Sequence, residues 1–314
     1  MAQGYYKLNQ HLQPASFDYF FRKNPFEGGY AIFCGLENLI EVIENLHFDT
    51  DVLRYFKDLN FETKFIEYLS SFKFRGNIYA PHEGEIVFAN EPIIRIEGTL
   101  IECQLIETVL LNLINFQTLI ATKASRIKKV CGDRTFLDFG LRRAQGWGGI
   151  HASRAAAIGG ANASSNMLSG YYHGLKLSGT MGHSWIQSFE REYLAFEEFA
   201  KVHNGKIVLL VDTYDTLKSG IPNVIKLANS LKGTEKQIHG IRLDSGDLAY
   251  LSKHARRMLN EAGFSDIKIF ASNQLDEYLI RSLNEQEAPI DGFGVGTSLI
   301  TAYNEPALDG VYKL

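Results

Sequence analysis

The sequence predicts an α/β protein: an irregular barrel similar to a TIM barrel, preceded by an N-terminal α+β domain. From about residue 115 onward, short apolar segments alternate with helical segments, which is the pattern of repeated βα units around a parallel sheet. Six such segments recur at spacings of roughly 25 to 40 residues, which fits a barrel better than an open Rossmann sheet. Each of the six also ends in a cluster of Gly, Asp, Ser, Arg or His residues.

The N-terminal domain is predicted to cover residues 1–115, and the barrel residues 116–314. Apolar side chains recur at helical spacing between residues 36 and 43. Residues 84–88 and 92–98 resemble two strands joined by a turn. This mixture of helices and short strands indicates an α+β module with a small sheet.

The six apolar segments of the barrel are predicted strands, because they are short and bounded by Gly, Asp or Ser. In chain order they are Thr135–Phe139, Leu175–Ser178, Ile207–Val211, His239–Leu243, Ile267–Ala271 and Ile290–Val295. Helical segments are predicted between most of them. These are Ala152–Asn166, Ser184–Ala200, Pro222–Ser230, Leu248–Ala262 and Leu275–Asn284.

The overall composition argues against several classes of protein. The 314 residues carry a net charge of −4, so the chain lacks the basic field of a protein that wraps nucleic acid. Cys34, Cys103 and Cys131 are too widely spaced for a disulfide framework or a zinc site. The first residues lack the apolar core of a signal peptide, and no stretch is expected to reach the roughly 20 apolar residues that span a bilayer. We therefore expect a soluble, cytoplasmic protein that binds neither nucleic acid nor membrane.

Polar clusters follow all six predicted strands. They are Asp138–Arg143, Ser178–Ser184, Asp212–Thr216, Asp244–Asp247, Ser272–Asp276 and Gly294–Ser298. Because the loops after the strands of a βα barrel converge at one opening, these clusters predict a single active site. Taken alone, an Asp after a strand is as often a helix N-cap, and a Gly-x-Gly is a weak signal. The glycines of the last cluster would nevertheless let backbone N–H groups approach a phosphate.

His183 and Asp212 are predicted to lie side by side, because each follows a neighbouring predicted strand. A carboxylate beside an imidazole fixes its tautomer and raises its basicity. A histidine is more often structural than catalytic, but this arrangement favours a catalytic role for His183.

Two arginines and two aspartates complete the residues that chemistry alone singles out. Arg142 and Arg242 lie at or beside strand ends, where a guanidinium can bind phosphate or carboxylate through two parallel hydrogen bonds. Surface ion pairs are an equally common use of arginine. Asp244 and Asp247 could pair with Arg242 or hold a magnesium ion bridged by a pyrophosphate, and the sequence allows either.

The ordered set of motifs resembles the nicotinate phosphoribosyltransferase family. The motifs are Asp-Phe-Gly-Leu-Arg-Arg-Ala-Gln-Gly at 138–146, Gly-Thr-Met-Gly-His-Ser at 179–184, Leu-Val-Asp-Thr-Tyr-Asp-Thr at 210–216, Ile-Arg-Leu-Asp-Ser-Gly-Asp-Leu at 241–248 and Gly-Phe-Gly-Val-Gly-Thr at 292–297. Phe-Phe-Arg-Lys-Asn-Pro-Phe at 20–26 also fits, so the resemblance covers nearly the whole chain.

This resemblance implies the fold of a type II phosphoribosyltransferase and an activity in NAD salvage. The implied reaction joins nicotinate to phosphoribosyl pyrophosphate, giving nicotinate mononucleotide and pyrophosphate, coupled to ATP hydrolysis and assisted by Mg²⁺. It also implies a homodimer whose active site borrows residues from the neighbouring subunit.

The resemblance further implies roles for individual residues. His183 matches a histidine that ATP phosphorylates, Asp212 matches the carboxylate that orients it, and Asp244 matches a position near the pyridine ring and the metal. Substrate contacts are implied for Arg142, Thr180, Arg242, Ser245 and Gly246. Contacts with the 5-phosphate are implied for Ser272, Asn273, Gly294, Gly296 and Thr297.

Three alternatives stay open. A nicotinamide enzyme would share the barrel, but Gly182-His183-Ser184 lacks the acidic residue expected before the histidine for an amide substrate. A quinolinate enzyme would need more basic residues and no phosphorylatable histidine. A non-catalytic barrel that senses a phosphorylated metabolite would keep the glycine loop and would not need His183 beside Asp212.

Two departures from the family pattern concern the ends of the chain. Relatives carry an upstream Asp-Leu-Tyr-Gln segment whose tyrosine stacks on the pyridine ring, and they continue past Leu314. The resemblance therefore predicts a chain truncated at both ends, with incomplete stacking on nicotinate.

Overall fold

The computed structural model describes all 314 residues, which fold as two compact units. The first unit contains Met1–Thr122 together with Asn304–Leu314, and the second contains Lys123–Tyr303. The last segment of the chain, which the sequence assigns to the barrel, thus lies in the first unit. The domain boundary near residue 115 stays a prediction.

Helices and short strands alternate along the chain. The helices are α1 Ala2–Lys7, α2 Leu36–Glu44, α3 Thr50–Asp58, α4 Thr63–Ser70, α5 Leu100–Cys131, α6 Gly148–Ile158, α7 Met167–His173, α8 His183–Gln187, α9 Glu192–Val202, α10 Ile221–Ser230, α11 Leu248–Glu261, α12 Glu277–Glu285 and α13 Thr297–Ile300. The strands are β1 Pro14–Phe21, β2 Ala31–Ile32, β3 Asn77–Tyr79, β4 Ile86–Val87, β5 Ile94–Thr99, β6 Thr135–Asp138, β7 Ala163–Ser164, β8 Ile207–Leu210, β9 Ile238–Leu243, β10 Lys268–Ala271, β11 Gly292–Val295 and β12 Gly310–Lys313.

The first unit is built on an antiparallel sheet with the strand order β12-β1-β5-β3. In β1, Phe17, Tyr19 and Phe21 are buried, whereas the residues between them are more exposed. This alternation turns one face of the sheet toward the core. The two strands that the sequence joins by a turn have different partners: β4 pairs with β2, and β5 pairs with β1 and β3.

Helix α5 is the longest helix, with 32 residues. By length and composition it could cross a membrane, because an 18-residue window has a mean hydropathy of 1.4. This differs from the expectation that no stretch is apolar enough. Half of that window is buried within the fold, and the core helices of soluble proteins have the same composition, so the observation is weak evidence for a membrane span.

The second unit is built on six parallel strands in the order β7-β6-β11-β10-β9-β8, which curl into half of a barrel. Its core side chains Phe136, Leu209, Ile241, Ile269 and Phe293 are fully buried. Their removal from water is the main force that holds the sheet against its helices. The predicted α/β class is therefore confirmed, with the barrel open. Because the strands are parallel, their carboxyl ends share one edge of the sheet.

The predicted second strand of the barrel is wrong. Leu175–Ser178 forms only an isolated bridge, in which Leu177 pairs with Ser164. The edge strand is β7, which lies in a range that the sequence predicts as helix. With two residues, β7 is too short to give the apolar pattern by which strands are recognised.

Two predicted helices have different bounds. The helix predicted to reach Asn166 ends at Ile158, where two glycines follow and Gly160 adopts a left-handed φ of 110°. The helix predicted from Ser184 to Ala200 is two helices, α8 and α9, separated by residues 188–191. This break leaves His183 at the start of a short separate helix.

Candidate functional site

A cavity of about 740 Å³ opens at the carboxyl edge of the parallel sheet in the second unit. Five of the six polar clusters predicted from the sequence contribute to its wall, and the Asp212–Thr216 cluster does not line it directly. The lining residues are Phe139, Leu141, Arg142, Arg143, Ser165, Gly179, Thr180, Met181, Gly182, His183, Ser184, Arg242, Asp244, Ser272, Asn273, Gln274, Gly294, Gly296 and Thr297.

Most of the predicted site residues lie together in this wall. They are Arg142, Thr180, His183, Arg242, Asp244, Ser272, Asn273, Gly294, Gly296 and Thr297. Asp212, Ser245, Gly246 and Asp247 are predicted site residues that do not line the cavity. The roles of all these residues stay predictions, but the structure brings the larger group to one opening.

His183 and Asp212 form the pair that the sequence predicts. The His183 Nε2 atom lies 3.3 Å from Asp212 Oδ1, and their side chains are 40% and 1% exposed. The imidazole therefore reaches the cavity while the carboxylate stays buried behind it. No hydrogen bond is formed in this geometry, since Asp212 Oδ1 is buried without a hydrogen-bond partner. A hydrogen on His183 Nε2 would supply that oxygen with a donor, and the lone pair of the imidazole would then lie on Nδ1.

The second carboxylate oxygen of Asp212 connects two strand-end loops. Oδ2 accepts hydrogen bonds from the backbone N–H of Asp244 at 2.9 Å and from the Ser245 hydroxyl at 2.5 Å. Ser245, for which the resemblance implies a substrate contact, therefore hydrogen-bonds the side chain of Asp212 in this structure. These two bonds fix the carboxylate, and so they also fix the direction from which it meets His183.

Arg242 points from β9 into the cavity and is largely desolvated. Burial lowers the pKa of its guanidinium, the nearby carboxylates of Asp244 and Asp212 oppose this, and Arg142 adds to the lowering. Its Nη1 donates to the Thr180 hydroxyl. Its Nε is buried without a hydrogen-bond partner. An unpaired buried donor costs free energy, so the hydrogen bonds of this guanidinium are incomplete in the structure.

The two aspartates considered for magnesium have different surroundings. Asp244 lines the cavity, and its Oδ1 accepts a hydrogen bond from the Ser272 hydroxyl. Asp247 instead caps α11, since its Oδ1 accepts the N–H of Tyr250 at 3.0 Å. No group of three or more His, Cys, Asp or Glu side chains is arranged to hold a metal ion. A magnesium ion in this cavity would therefore depend on ligand oxygens, which is its usual mode of binding with phosphates.

The glycines at the end of β11, Gly294 and Gly296, are packed against Phe139 in the loop after β6. A Cβ atom on Gly294 would lie 2.5 Å from Cε2 of Phe139, and one on Gly296 would lie 3.3 Å from the Phe139 carbonyl oxygen. Only glycine at residue 294 lets this backbone approach so closely. The Ser298 hydroxyl donates to the carbonyl of Leu275, which ties the glycine loop to the loop after β10.

Nine cavity residues were not among the predicted site residues. They are Phe139, Leu141, Arg143, Ser165, Gly179, Met181, Gly182, Ser184 and Gln274. All of them except Ser165 lie within polar clusters that the sequence identified, so strand-end placement was an available signal for them. Ser165 follows the two-residue strand β7, and no pattern marks it.

Comparisons with known proteins identify the family of this chain. Residues 1–115 match the family described as the nicotinate phosphoribosyltransferase (NAPRTase) N-terminal domain. The nicotinate phosphoribosyltransferase of Bacillus subtilis (strain 168) is 52% identical, and the match covers 100% of this chain and 64% of that protein. The nicotinate phosphoribosyltransferase pncB2 of Mycobacterium tuberculosis (strain ATCC 25618 / H37Rv) is 42% identical, over 100% of this chain and 67% of that protein. The chain thus spans about two thirds of the length of these curated relatives, and slightly less for the first.

Solved structures share the fold of this chain. The crystal structure of human nicotinic acid phosphoribosyltransferase has a TM-score of 0.90 at 27% identity and covers 100% of this chain and 72% of that one. Nicotinate-nucleotide pyrophosphorylase from Pyrococcus furiosus has a TM-score of 0.80 at 24% identity, over 99% of this chain and 71% of that one. The latter similarity concerns the fold alone.

Proposed function

Because the chain belongs to the nicotinate phosphoribosyltransferase family, we propose that the protein joins nicotinate to phosphoribosyl pyrophosphate. The products are nicotinate mononucleotide, used in NAD salvage, and pyrophosphate. The observation that supports this most is the joint presence of the His183–Asp212 pair, three arginines and a glycine loop at one opening. The relatives and the fold support the substrate class.

The reaction replaces a carbon–oxygen bond by a carbon–nitrogen bond at the anomeric carbon of ribose. The pyridine nitrogen of nicotinate attacks as pyrophosphate departs, and positive charge develops on the sugar. The contribution of this chain would be to hold both partners in line and to neutralise the departing anion. Arg142, Arg143 and Arg242 line the cavity and supply guanidiniums for this purpose. Asp244 would face the developing positive charge.

ATP would be used through His183. In this step the Nδ1 lone pair attacks the terminal phosphorus of ATP, the bond to the bridging oxygen breaks, and ADP leaves. Asp212 would accept the hydrogen on Nε2 and stabilise the positive charge that forms on the imidazole. Water later cleaves the phosphorus–nitrogen bond and releases phosphate. This couples ATP hydrolysis to glycosyl transfer.

A magnesium ion is proposed to accompany pyrophosphate. Mg²⁺ is commonly bound by one or two carboxylates together with phosphate oxygens, and Asp244 offers one carboxylate in the wall. The donor set of the chain fits an ion that is carried in by its ligand. When bound, the ion would neutralise charge on the leaving group.

We also propose that the protein is a cytoplasmic homodimer. Large apolar side chains are exposed in segments next to the cavity loops: Trp147 at 70%, Met167 at 73% and Tyr171 at 82%. Large exposed apolar side chains are typical of a protein interface when they form one patch. The three free, buried cysteines are compatible with a reducing compartment. Light scattering coupled to gel filtration tests the dimer, and a monomeric mass at micromolar concentration would contradict it.

The activity is tested by an assay for nicotinate mononucleotide with phosphoribosyl pyrophosphate, Mg²⁺ and ATP, in which nicotinamide and quinolinate replace nicotinate in parallel reactions. We expect product from nicotinate. Product from nicotinamide or quinolinate instead would assign the other substrate. Absence of product from all three, in a protein that binds phosphoribosyl pyrophosphate, would favour a metabolite sensor.

The role of His183 is tested by incubation with ATP labelled in the terminal phosphate. We expect one acid-labile phosphate per chain in the wild type and none in His183→Ala, with coupled turnover lowered by several orders of magnitude. His203→Ala is the matched control, since that imidazole bonds the Phe199 carbonyl and lies outside the cavity. Equal labelling of wild type and His183→Ala would contradict the assignment.

A further inference from the structure

Asp138 is a fully buried carboxylate at the end of β6, and the proposed mechanism does not use it. Its Oδ1 accepts the backbone N–H of Gly140 at 2.8 Å. Its Oδ2 accepts the hydroxyl groups of Ser153 and Ser164, both at 2.7 Å. An ionised carboxylate is an acceptor only, so all three partners must act as donors.

The two serine hydroxyls are themselves fixed by Asn166. The Asn166 side-chain amide donates to Ser153 Oγ at 3.1 Å, and the Asn166 backbone N–H donates to Ser164 Oγ at 3.0 Å. Each hydroxyl therefore accepts one hydrogen bond and directs its own hydrogen to Asp138. The amide of Asn166 also donates to the carbonyl of Gly149 at 3.1 Å. We call Asp138, Ser153, Ser164 and Asn166 the Asp138 network.

The Asp138 network joins four elements that stand next to the cavity. It includes the end of β6, helix α6, strand β7 and the N-cap of α7. None of its four side chains lines the cavity. Its neighbours in the chain do: Phe139 and Arg142 follow Asp138, and Ser165 lies between two members.

Two hydrogen bonds connect Asp138 to the backbone segments that form the cavity wall. The bond to Gly140 fixes the residue from which the turn carrying Arg142 begins, and the turn closes with Arg143 N–H donating to Gly140 C=O at 2.8 Å. The backbone N–H of Ser165 donates to the carbonyl of Asp138 at 2.9 Å. Both sides of this wall thus depend on one residue.

We infer that Asp138 is a positioning residue: its buried hydrogen-bond network holds the cavity wall that carries Phe139, Arg142 and Ser165 in the geometry that binds anionic ligand. This rests on the proposed function, in which the cavity receives pyrophosphate. When the wall is already ordered, binding does not have to include the free-energy cost of ordering it. Loss of the network therefore weakens affinity without removing any ligand contact.

Asp138→Asn tests the inference because it keeps the size of the side chain. If the amide nitrogen replaces Oδ2, it donates toward Ser153 and Ser164, and both hydroxyl hydrogens lose their acceptor. If it replaces Oδ1, it opposes the N–H of Gly140. Either orientation sets a donor against a donor. The matched control is Asp291→Asn, whose Oδ2 accepts the N–H of Ile269 at 2.8 Å next to the amino end of the same sheet.

Two measurements are made on each variant: hydrogen–deuterium exchange of residues 139–144, and the affinity for pyrophosphate with Mg²⁺ by calorimetry. For Asp138→Asn we expect faster exchange in this segment and a Kd raised about tenfold, the change that one weakened charge-assisted hydrogen bond produces. Exchange in residues 272–276 should stay unchanged. Asp291→Asn should alter neither quantity.

Ser153→Ala serves if Asp138→Asn does not fold, since it removes one donor and leaves the carboxylate with two. We expect the same changes at smaller size. Unchanged exchange in residues 139–144, or faster exchange with unaltered pyrophosphate affinity, would overturn the positioning role. Failure of the wild type to bind pyrophosphate would instead count against the proposed function, while the exchange data would still decide whether Asp138 orders the loop.

Discussion

The substitution Asp212→Asn tests the proposed role of Asp212 in catalysis separately from its role in stabilising the fold. The side-chain oxygen of the introduced asparagine can take the place of Oδ2 and still accept from Asp244 N–H and the Ser245 hydroxyl. Its amide nitrogen then lies in the place of Oδ1, 3.3 Å from His183 Nε2. An amide N–H in that place favours an imidazole that turns its Nε2 lone pair toward it and carries its hydrogen on Nδ1.

We expect Asp212→Asn to affect the stability of the protein less than the rate at which His183 is phosphorylated. A hydrogen bond to a charged group contributes about 1 kcal/mol more than a neutral one, so two such bonds predict a loss of about 2 kcal/mol in the free energy of unfolding. Removing the attacking lone pair from Nδ1 predicts a phosphorylation rate lowered by about 10² to 10⁴, or about 3 to 5 kcal/mol in activation free energy.

The assay is the time course of acid-labile label from ATP, with urea unfolding measured on the same preparation. Asp215→Asn is the control, because Asp215 belongs to the same segment and caps the next turn through the N–H groups of Leu217 and Lys218. We expect it to lower stability slightly and to leave labelling alone. If Asp212→Asn is labelled as fast as the wild type, the tautomer argument and the pairing of His183 with Asp212 are both refuted.

Two further substitutions test the cavity wall. Arg242→Lys replaces a planar guanidinium, which can form two parallel hydrogen bonds, by a compact ammonium group. We expect it to raise the KM for phosphoribosyl pyrophosphate about 10- to 100-fold. An unchanged KM in steady-state kinetics would contradict a ligand contact for Arg242. Gly294→Ala should push the Phe139 ring into the cavity, lower the stability by about 1 to 3 kcal/mol and weaken nicotinate binding. Gly292→Ala meets Phe270 instead, so it should lower the melting temperature without changing nicotinate affinity, and equal effects of both on binding would refute the cavity argument.

The placement of polar residues after strands was the most informative pattern in the sequence. A parallel sheet brings its carboxyl ends to one edge, so strand order did not have to be known to expect His183, Arg242 and Gly296 at one opening. The pairing of His183 with Asp212 is observed, although the segment before His183 forms only an isolated bridge and not the strand on which the prediction rested. Five of the clusters line the cavity. The sixth contributes Asp212, whose side chain accepts a hydrogen bond from the backbone of the cavity residue Asp244.

The parts that could not be predicted depend on short elements and on side-chain direction. β7 has two residues, so its apolar pattern is too short to detect, and Ser165 after it went unrecognised. Asp247 and Asp244 belong to one cluster, yet Asp247 caps α11 and Asp244 faces the cavity. Composition and spacing do not distinguish a cap from a ligand contact, because both place a carboxylate after a strand.

Asp212 and Asp138 use a buried carboxylate in the same way, and this explains why polar clusters follow strands even where they do not touch the cavity. Each carboxylate accepts a backbone N–H from a strand-end loop and at least one serine hydroxyl. In each loop one backbone N–H, that of Gly140 after β6 and that of Asp244 after β9, bonds a buried carboxylate instead of a backbone carbonyl. We therefore expect the loops that carry Arg142 and Arg242 to keep their geometry when a ligand binds.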